Sequence, residues 1–330
     1  MSFIHRSSTL LFVAVFASLA HAQDGSTSIF QFLRLPTSAH TMALGGYNIT
    51  LPDDDASLLH QNPALMADAS DGAIALSMMT YMKGSKAGTA SWTSGSGERG
   101  TWGVGAQFVG YGSMKETTVE GLETGTFSAL DLALTGGYAY QLTEHVAGGA
   151  SGKFLYSKYG AFTSVALAVD LGLNYYDEDK DLSVSVVAAN LGGQVKSFAD
   201  HRESLPFDLR LGVSKRLEGA PFRFSVTMVD LTRWRASDYY STEGKVKRGR
   251  ILTNHFVLGA DILFSEQFYA SVGMNMRRAF EMKAAGGSHG AGLSFGAGLT
   301  LKRLKIHAAY AKYHLSMPSL MLTAQLKLKN

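Results

Sequence analysis

The chain has 330 residues, 46 % of them hydrophobic and 17 % charged, with a formal net charge of +3 and no cysteine. The missing cysteines exclude a disulfide framework and thiolate metal sites, and the balanced charge argues against a nucleic-acid binder. Mean hydropathy is only +0.03 and charge is scarcer than the roughly 25 % of a soluble domain, a combination that suits a membrane β-barrel, whose alternating strands hide an apolar face.

The N-terminus reads as a secretory signal peptide, residues 1–22. His5 and Arg6 make a weak basic region, Leu10 to Ala20 an apolar core, and Ala20-His21-Ala22 a cleavage site, so the mature chain is expected to start at Gln23. Arg6 is the only charged residue removed, which leaves a mature net charge of about +2.

Residues 23–72 show no sustained alternation. Asp53 to Asp55 are suited to cap a short helix over Ala56 to Gln61, with Pro63 ending it. The segment is expected to be a compact, partly helical plug at or in the periplasmic mouth of the barrel. Leu44 and the Asn62-Pro63 turn would pack on the inner wall, and Gly45 and Gly46 would allow close backbone approach.

From Ala73 onward the pattern changes to period two. The clearest case is 161–176, where Val165, Leu167, Val169, Leu171, Leu173 and Tyr175 form one row. Ala166, Ala168, Asp170, Gly172 and Asn174 form the other. Fourteen such strands are predicted, at 73–82, 86–94, 101–112, 127–140, 145–157, 161–176, 181–190, 205–217, 222–231, 251–264, 268–277, 290–301, 304–313 and 319–328. The charges Asp131, Lys153, Asp170, Asp208, Arg210, Arg223, Asp261 and Lys305 fall on the less apolar parity. That sorting is expected where the other face meets lipid, since a midplane cation there costs about 2–4 kcal/mol.

Connections alternate between tight ones (141–144, 177–180, 218–220, 265–267, 302–303) and long ones (113–126, 191–204, 232–250, 278–289). Short periplasmic turns and long extracellular loops are the rule for outer-membrane barrels. The expectation is therefore an all-β, fourteen-stranded antiparallel barrel over 73–330, in the outer membrane of a Gram-negative bacterium, with both termini periplasmic.

Several motifs resemble chemistry without its context. Gly95 to Gly100 matches a dinucleotide loop, but a strand follows instead of a helix. Gly286-Gly287-Ser288-His289-Gly290 matches a nucleophile elbow and also precedes a strand. Asp53 to Asp55 lack EF-hand spacing. No catalytic, cofactor or metal site is expected. Asp131, Asp170, Asp208, Arg210 and Asp261 are lumen charges that either line a polar path or, the simpler reading, pair with each other and with the plug. The richest surface stretch is 232–250. Trp234, Tyr239 and Tyr240, with Arg233, Arg235, Lys247 and Arg248, are candidate partner anchors or a belt contacting membrane lipid and lipopolysaccharide.

The runs Leu33-Arg34-Leu35, Ala43-Leu44-Gly45-Gly46, Asp53 to Asp55 and Asn62-Pro63-Ala64 occur in an order that resembles the PorV/PorQ family, distant relatives of the FadL transporters. Asn190-Leu191-Gly192, Leu205-Pro206-Phe207 and Leu231-Thr232-Arg233-Trp234 extend the resemblance, and Ala220-Pro221-Phe222-Arg223 is similar to the PorQ branch. The resemblance implies a FadL-like fourteen-stranded barrel of the type IX secretion system without enzymatic activity. It further implies partners in an attachment complex, a PorZ-like protein held at the surface together with PorU and PorV. A FadL-like conduit for hydrophobic molecules is the alternative.

Overall fold

A computed structural model describes residues 28–328, except 70, 120, 200–201, 241–245, 287–289 and 315–316. The expected signal peptide and the mature start at Gln23 lie outside the described residues. Fourteen antiparallel strands form one closed barrel, each pairing with its neighbours in sequence and β1 closing on β14. They are β1 Ala73–Thr80, β2 Lys86–Ser96, β3 Gly100–Thr117, β4 Glu123–Gln141, β5 Val146–Tyr159, β6 Phe162–Asp177 and β7 Leu182–Lys196. The second half is β8 Asp208–Arg216, β9 Phe222–Met228, β10 Phe256–Leu263, β11 Phe268–Asn275, β12 Leu293–Thr300, β13 Leu304–Ala311 and β14 Ser319–Lys327.

Burial follows the period-two pattern. In β6, Ala166, Ala168, Asp170 and Asn174 are buried while Leu167, Val169, Leu171 and Leu173 are exposed. The same holds around the barrel, so the outer surface is a continuous apolar band. A band of this extent on a monomer is a surface for lipid, since water-facing apolar patches are normally a few hundred Å². Trp102, Tyr140, Tyr175, Phe222, Phe224, Phe264 and Phe268 are exposed near the rim of short turns, where amphipathic and aromatic rings form a girdle.

The wall is uneven in height. Strands β8 to β14 have 7 to 9 residues, whereas β3 and β4 have 18 and 19. Since about 9–11 tilted residues cross a bilayer, the β3–β4 pair stands well above its neighbours on the long-connection side. Most of the predicted connection 113–126 is therefore strand, and only 118–122 turns. Other boundaries differ too: β7 runs on to Lys196, so the expected connection 191–204 begins as strand, and β9 ends at Met228 instead of 231. Residues 251–254 belong to the helix Arg248–Asn254, so β10 starts at Phe256. The connection after β11 is largely the helix Met276–Ala284.

The N-terminal segment lies inside the barrel, but it is not confined to the mouth. It begins on the long-connection side, where the Ile29 amide donates to the Ser204 carbonyl at 3.2 Å, and descends to β1 at the short-turn rim. Leu328, after β14, lies beside Gly72 near the short-turn rim; the mature termini of the expectation lie outside the described residues. On its way the N-terminal segment forms a helix Ala39–Ala43 capped by Ser38, and 3₁₀ turns Gln31–Arg34, Ala56–His60 and Pro63–Asp68. Asp55 caps the third of these elements, as anticipated for the aspartate run. Pro63, however, opens a turn instead of ending one: its fixed φ suits a first helical position, and the Asn62 side chain accepts from the Ala64 amide.

Candidate functional site

The segment 28–69 is seated by glycines on the wall. A Cβ on Gly172 would stand 2.0 Å from Asn62 Oδ1, one on Gly149 2.4 Å from the Pro63 carbonyl carbon, and one on Gly273 2.2 Å from the Gly45 amide nitrogen. Small wall residues are what let a main chain lie flat on the barrel interior. Leu44 is 1 % exposed and sits over Gly259. Gly45 and Gly46 both have φ of +98°, the left-handed region that other residues avoid. Asn62 donates to the Ile49 carbonyl at 3.0 Å and to Ser185 Oγ at 3.2 Å. Of the five predicted plug residues, Leu44, Gly45, Asn62 and Pro63 therefore lie against the inner wall, whereas Gly46 approaches the side chains of Tyr313 and Arg278 beyond the strands.

Toward the short-turn rim, the plug is fastened by charge. His40 Nδ1 lies 3.0 Å from Asp53 Oδ2, and Nε2 lies 3.0 Å from Asp261 Oδ1. Both ring nitrogens face carboxylates, which is the geometry of an imidazolium donating twice. Arg223 completes the set, 2.8 Å from Asp261 and 3.2 Å from Asp53. Burial alone would pull His40 down, but Asp261 and Asp53 outweigh it and raise its pKa to about 9. His60, also in the plug, goes the other way: burial, then Lys153, push it down to about 4, and it is neutral.

A pH dependence follows for the plug. The His40 pKa is raised in the native state, so its contribution is fully present below about 6.5, the unperturbed value, and disappears as pH rises through about 9. Amide exchange of the helix Ala39–Ala43, corrected for intrinsic rate, is expected to lose protection between pH 7 and 10. His40→Gln should abolish that dependence. Equal protection at both pH values would exclude the imidazolium clamp.

The other lumen charges are likewise paired. Lys153 Nζ is 2.5 Å from Asp170 Oδ2 and donates to Asn190 Oδ1 at 2.9 Å. Asn190 has φ of 60° at a break in the β6–β7 register, and its amide donates to Asp170. The bulge is what turns this side chain inward. Arg210 bonds Asp208 at 2.6 Å and lies over the Tyr47 ring. Asp131 accepts from Tyr111 at 2.7 Å, Tyr159 at 3.0 Å and Ser157. Such groups hold one another and the plug in place, since a buried charge requires partners.

Near the long-connection side a single carboxylate gathers three guanidinium groups. Asp230, 1 % exposed and with φ of 56°, is held in a two-pronged bond by Arg34 of the plug at 2.7 and 2.9 Å. Arg277 reaches it at 2.6 Å from the helix Met276–Ala284, and Arg233 at 3.6 Å. The Asp230 amide donates to Asp208 at 2.6 Å. Burial would raise the Asp230 pKa, but Arg34, Arg277 and Arg233 override it and hold the carboxyl below the usual carboxylate range. One residue thus joins plug, wall and two surface connections.

The connection from β9 to β10 folds on this centre. Tyr239, Val246 and Ile251 form a small core, Trp234 packs on His255 with ring centroids 4.2 Å apart and tilted by 41°, and Arg277 lies over the Tyr239 ring at 5.0 Å. Trp234 and Tyr240 are exposed, as are Arg235, Lys247 and Arg248. Two of the seven candidate anchors turn inward instead. Tyr239 is buried and donates to the Arg233 carbonyl at 2.7 Å, and Arg233 is half-buried beside Asp230. Arg34, His40, Asp230 and Arg277 were not singled out from sequence. The only signal available was that charges in or beside a plug must find partners.

A cavity of about 530 Å³ opens at the short-turn rim between plug and wall, lined by Asp53, Arg216, Arg223, Glu266, Lys305 and His307 among others. Leu263, Phe264 and Tyr269 share this lining with the charges, so the cavity is mixed in character. In contrast, the upper lumen is apolar: Phe30, Phe32, Leu35 and Met42 of the plug pack with Val109, Leu155 and other wall residues.

No family model and no curated protein sequence matches this chain. Solved structures do. The Pseudomonas putida toluene transporter TodX aligns with TM-score 0.60 at 12 % identity, covering 90 % of this chain and 100 % of that one. A Pseudomonas aeruginosa FadL homologue aligns at 0.54 and 12 %, covering 89 % and 98 %. The monoaromatic hydrocarbon channel CymD aligns at 0.54 and 13 %, covering 89 % and 97 %. At such identities the likeness is one of fold: the chain is a FadL-like, fourteen-stranded closed barrel with an N-terminal helical segment.

Proposed function

We propose that this chain is a plugged outer-membrane barrel that serves as a non-enzymatic surface anchor, holding a PorZ-like partner of the type IX secretion attachment complex. The observation that carries this reading is the coupling at Asp230. It ties a structured aromatic and cationic connection to the plug and the wall, which suits a rigid platform for a partner better than a mobile gate. In this reading the short-turn rim is periplasmic, the long connections face outward, and the cations Arg235, Lys247 and Arg248 border lipopolysaccharide. PorU and PorV, which the sequence resemblance implies, would join through the same complex.

The test follows from which side chains are exposed. Replacing Trp234, Arg235, Tyr240, Lys247 and Arg248 by serine, with Arg233 and Tyr239 kept, is expected to leave barrel abundance and heat-dependent gel mobility unchanged. Loss of an aromatic–arginine anchor cluster typically weakens binding by above 2 kcal/mol, about thirtyfold, so the PorZ-like partner should be released from the cell surface and cargo attachment impaired. Retention of the partner and normal secretion would remove this reading.

A FadL-like conduit for hydrophobic molecules is the second reading. It is favoured by the neighbours named as toluene and hydrocarbon channels and by the apolar upper lumen around Phe30 and Phe32. Uptake of toluene by proteoliposomes, absent with empty vesicles, would support it over the anchor.

A further inference from the structure

The ribbon at the top of β3 and β4 is paired with no other strand of the described chain and is held only at its base, by the Gly160 turn. The β2–β3 ladder ends at Gly110, and the β4–β5 ladder begins only at Ala129. Between them Ser113 to Thr117 pair solely with Glu123 to Ser128, past a register break between Gly110 and Ser113. Residues 115–117 and 121–126 are exposed on both faces, and at the tip Val119 and Leu122 are 102 % and 68 % exposed. A lone two-stranded ribbon is marginally stable in water, and sheet edges are templates for another strand.

The two edges differ. The β3 edge carries Lys115 beside Glu116 and a break in register at Gly110, features that discourage pairing. The β4 edge reads Glu-Thr-Gly-Thr-Phe-Ser, without lysine, arginine or proline; its own register shift falls at Thr124, and Gly125 to Ser128 are regular. Its main-chain groups are aimed correctly. The Ser128 carbonyl accepts from the Gly160 amide at 3.1 Å, on the β5 side. Main-chain direction alternates along an antiparallel strand, so the N–H and C=O of Thr126 face that same side, where no described backbone group meets them. Just below, the turn of Gly160 would floor an incoming strand, with Phe127 3.7 Å from where a Gly160 Cβ would stand.

Charge selects the incoming segment. Residues 113–128 hold Glu116, Glu120 and Glu123 against Lys115 alone, and Lys115 is already paired with Glu123. We propose that the β4 edge at Glu123–Ser128 docks an extended, basic segment of another protein by strand addition. This deepens, and rests on, the reading of the barrel as a surface anchor. Main-chain bonds supply the affinity in such a mode and alternate side chains the selectivity.

The experiment uses the full chain in lipid nanodiscs. The probe is an eight-residue peptide of alternating lysine and valine, with an N-methylated copy and a glutamate-for-lysine copy as controls. The basic peptide is expected to bind and to slow amide exchange at 123–128. The N-methylated and acidic copies should bind at least tenfold more weakly. Thr126→Pro, which removes the outward N–H while sparing the β3 pairing, should weaken binding at least tenfold, and Thr126→Ala less than twofold. Equal binding of the N-methylated copy, or no protection at 123–128, overturns the proposal without recourse to any variant. In cells, a photocrosslinker at position 124, exposed on the same edge, is expected to join an extended segment of a different protein. Crosslinks only to lipopolysaccharide or to a second copy of this chain overturn it as well. If Thr126→Pro removes peptide and crosslink while cargo attachment stays normal, the edge assignment stands and the anchor reading falls.

Discussion

Asp230→Ala is expected to loosen the plug and the β9–β10 connection together, by about 3–5 kcal/mol, the usual effect of removing one partner of a buried ion pair. The variant leaves Arg34, Arg233 and Arg277 facing one another with no central carboxylate. Exchange protection should fall at Leu33 to Leu35 and at Tyr239 in the same sample, while the strands keep theirs. A cycle with Arg34→Ala separates the pair from its surroundings, since residues in one network show coupling of about 0.5–3 kcal/mol. The pH response has a fixed sign. The Asp230 pKa is depressed in the native state, so its contribution is complete above about 4, the unfolded value, and falls away as acid carries pH down through the native value. Loss of protection at only one of the two sites would show that Asp230 does not couple them.

Alanine at Gly149 or Gly273 should unseat the plug. The added methyl would meet main chain in both cases: the Pro63 carbonyl carbon and Ala64 nitrogen at 2.4 and 2.5 Å, or the Gly45 nitrogen and Leu44 carbonyl carbon at 2.2 and 2.4 Å. Overpacking of this kind costs about 1–3 kcal/mol or more when a neighbour can move, and here the neighbours are backbone held by the wall. The lumen of a fourteen-strand barrel is wider than the eight strands that side chains alone fill, so displacement of the plug should open a path. Single-channel recordings in planar bilayers are expected to show a new conductance in either variant, with heat-dependent gel mobility preserved. Gly136→Ala and Gly152→Ala are matched controls, because a Cβ there meets nothing within 4 Å. Silent recordings for Gly149→Ala and Gly273→Ala, with unchanged exchange of the plug amides, would mean that the segment yields without opening the lumen.

The strand plan was legible in the amino-acid order because it is local. Period-two alternation and charges on one parity follow from lipid on one face and lumen on the other, and all fourteen strands form around the segments so marked, with ends that differ at β3, β4, β7 and β10. Leu44, Gly45, Gly46, Asn62 and Pro63 were likewise readable, as residues suited to close packing and turns. What tertiary structure decided was everything that depends on a distant partner. Tyr239 looks like Tyr240 in sequence, yet one meets His255 and Arg233 and is buried while its neighbour faces out. The chain 113–126 reads as a loop, but its register with itself extends β3 and β4 past strands that have already turned. Arg34 and His40 lie in the plug, Asp230 and Arg277 in two distant connections, and no spacing connects these three parts of the chain. Their roles came from the barrel closing around the plug, which shields each charge from water and brings opposite charges from distant parts of the chain beside it.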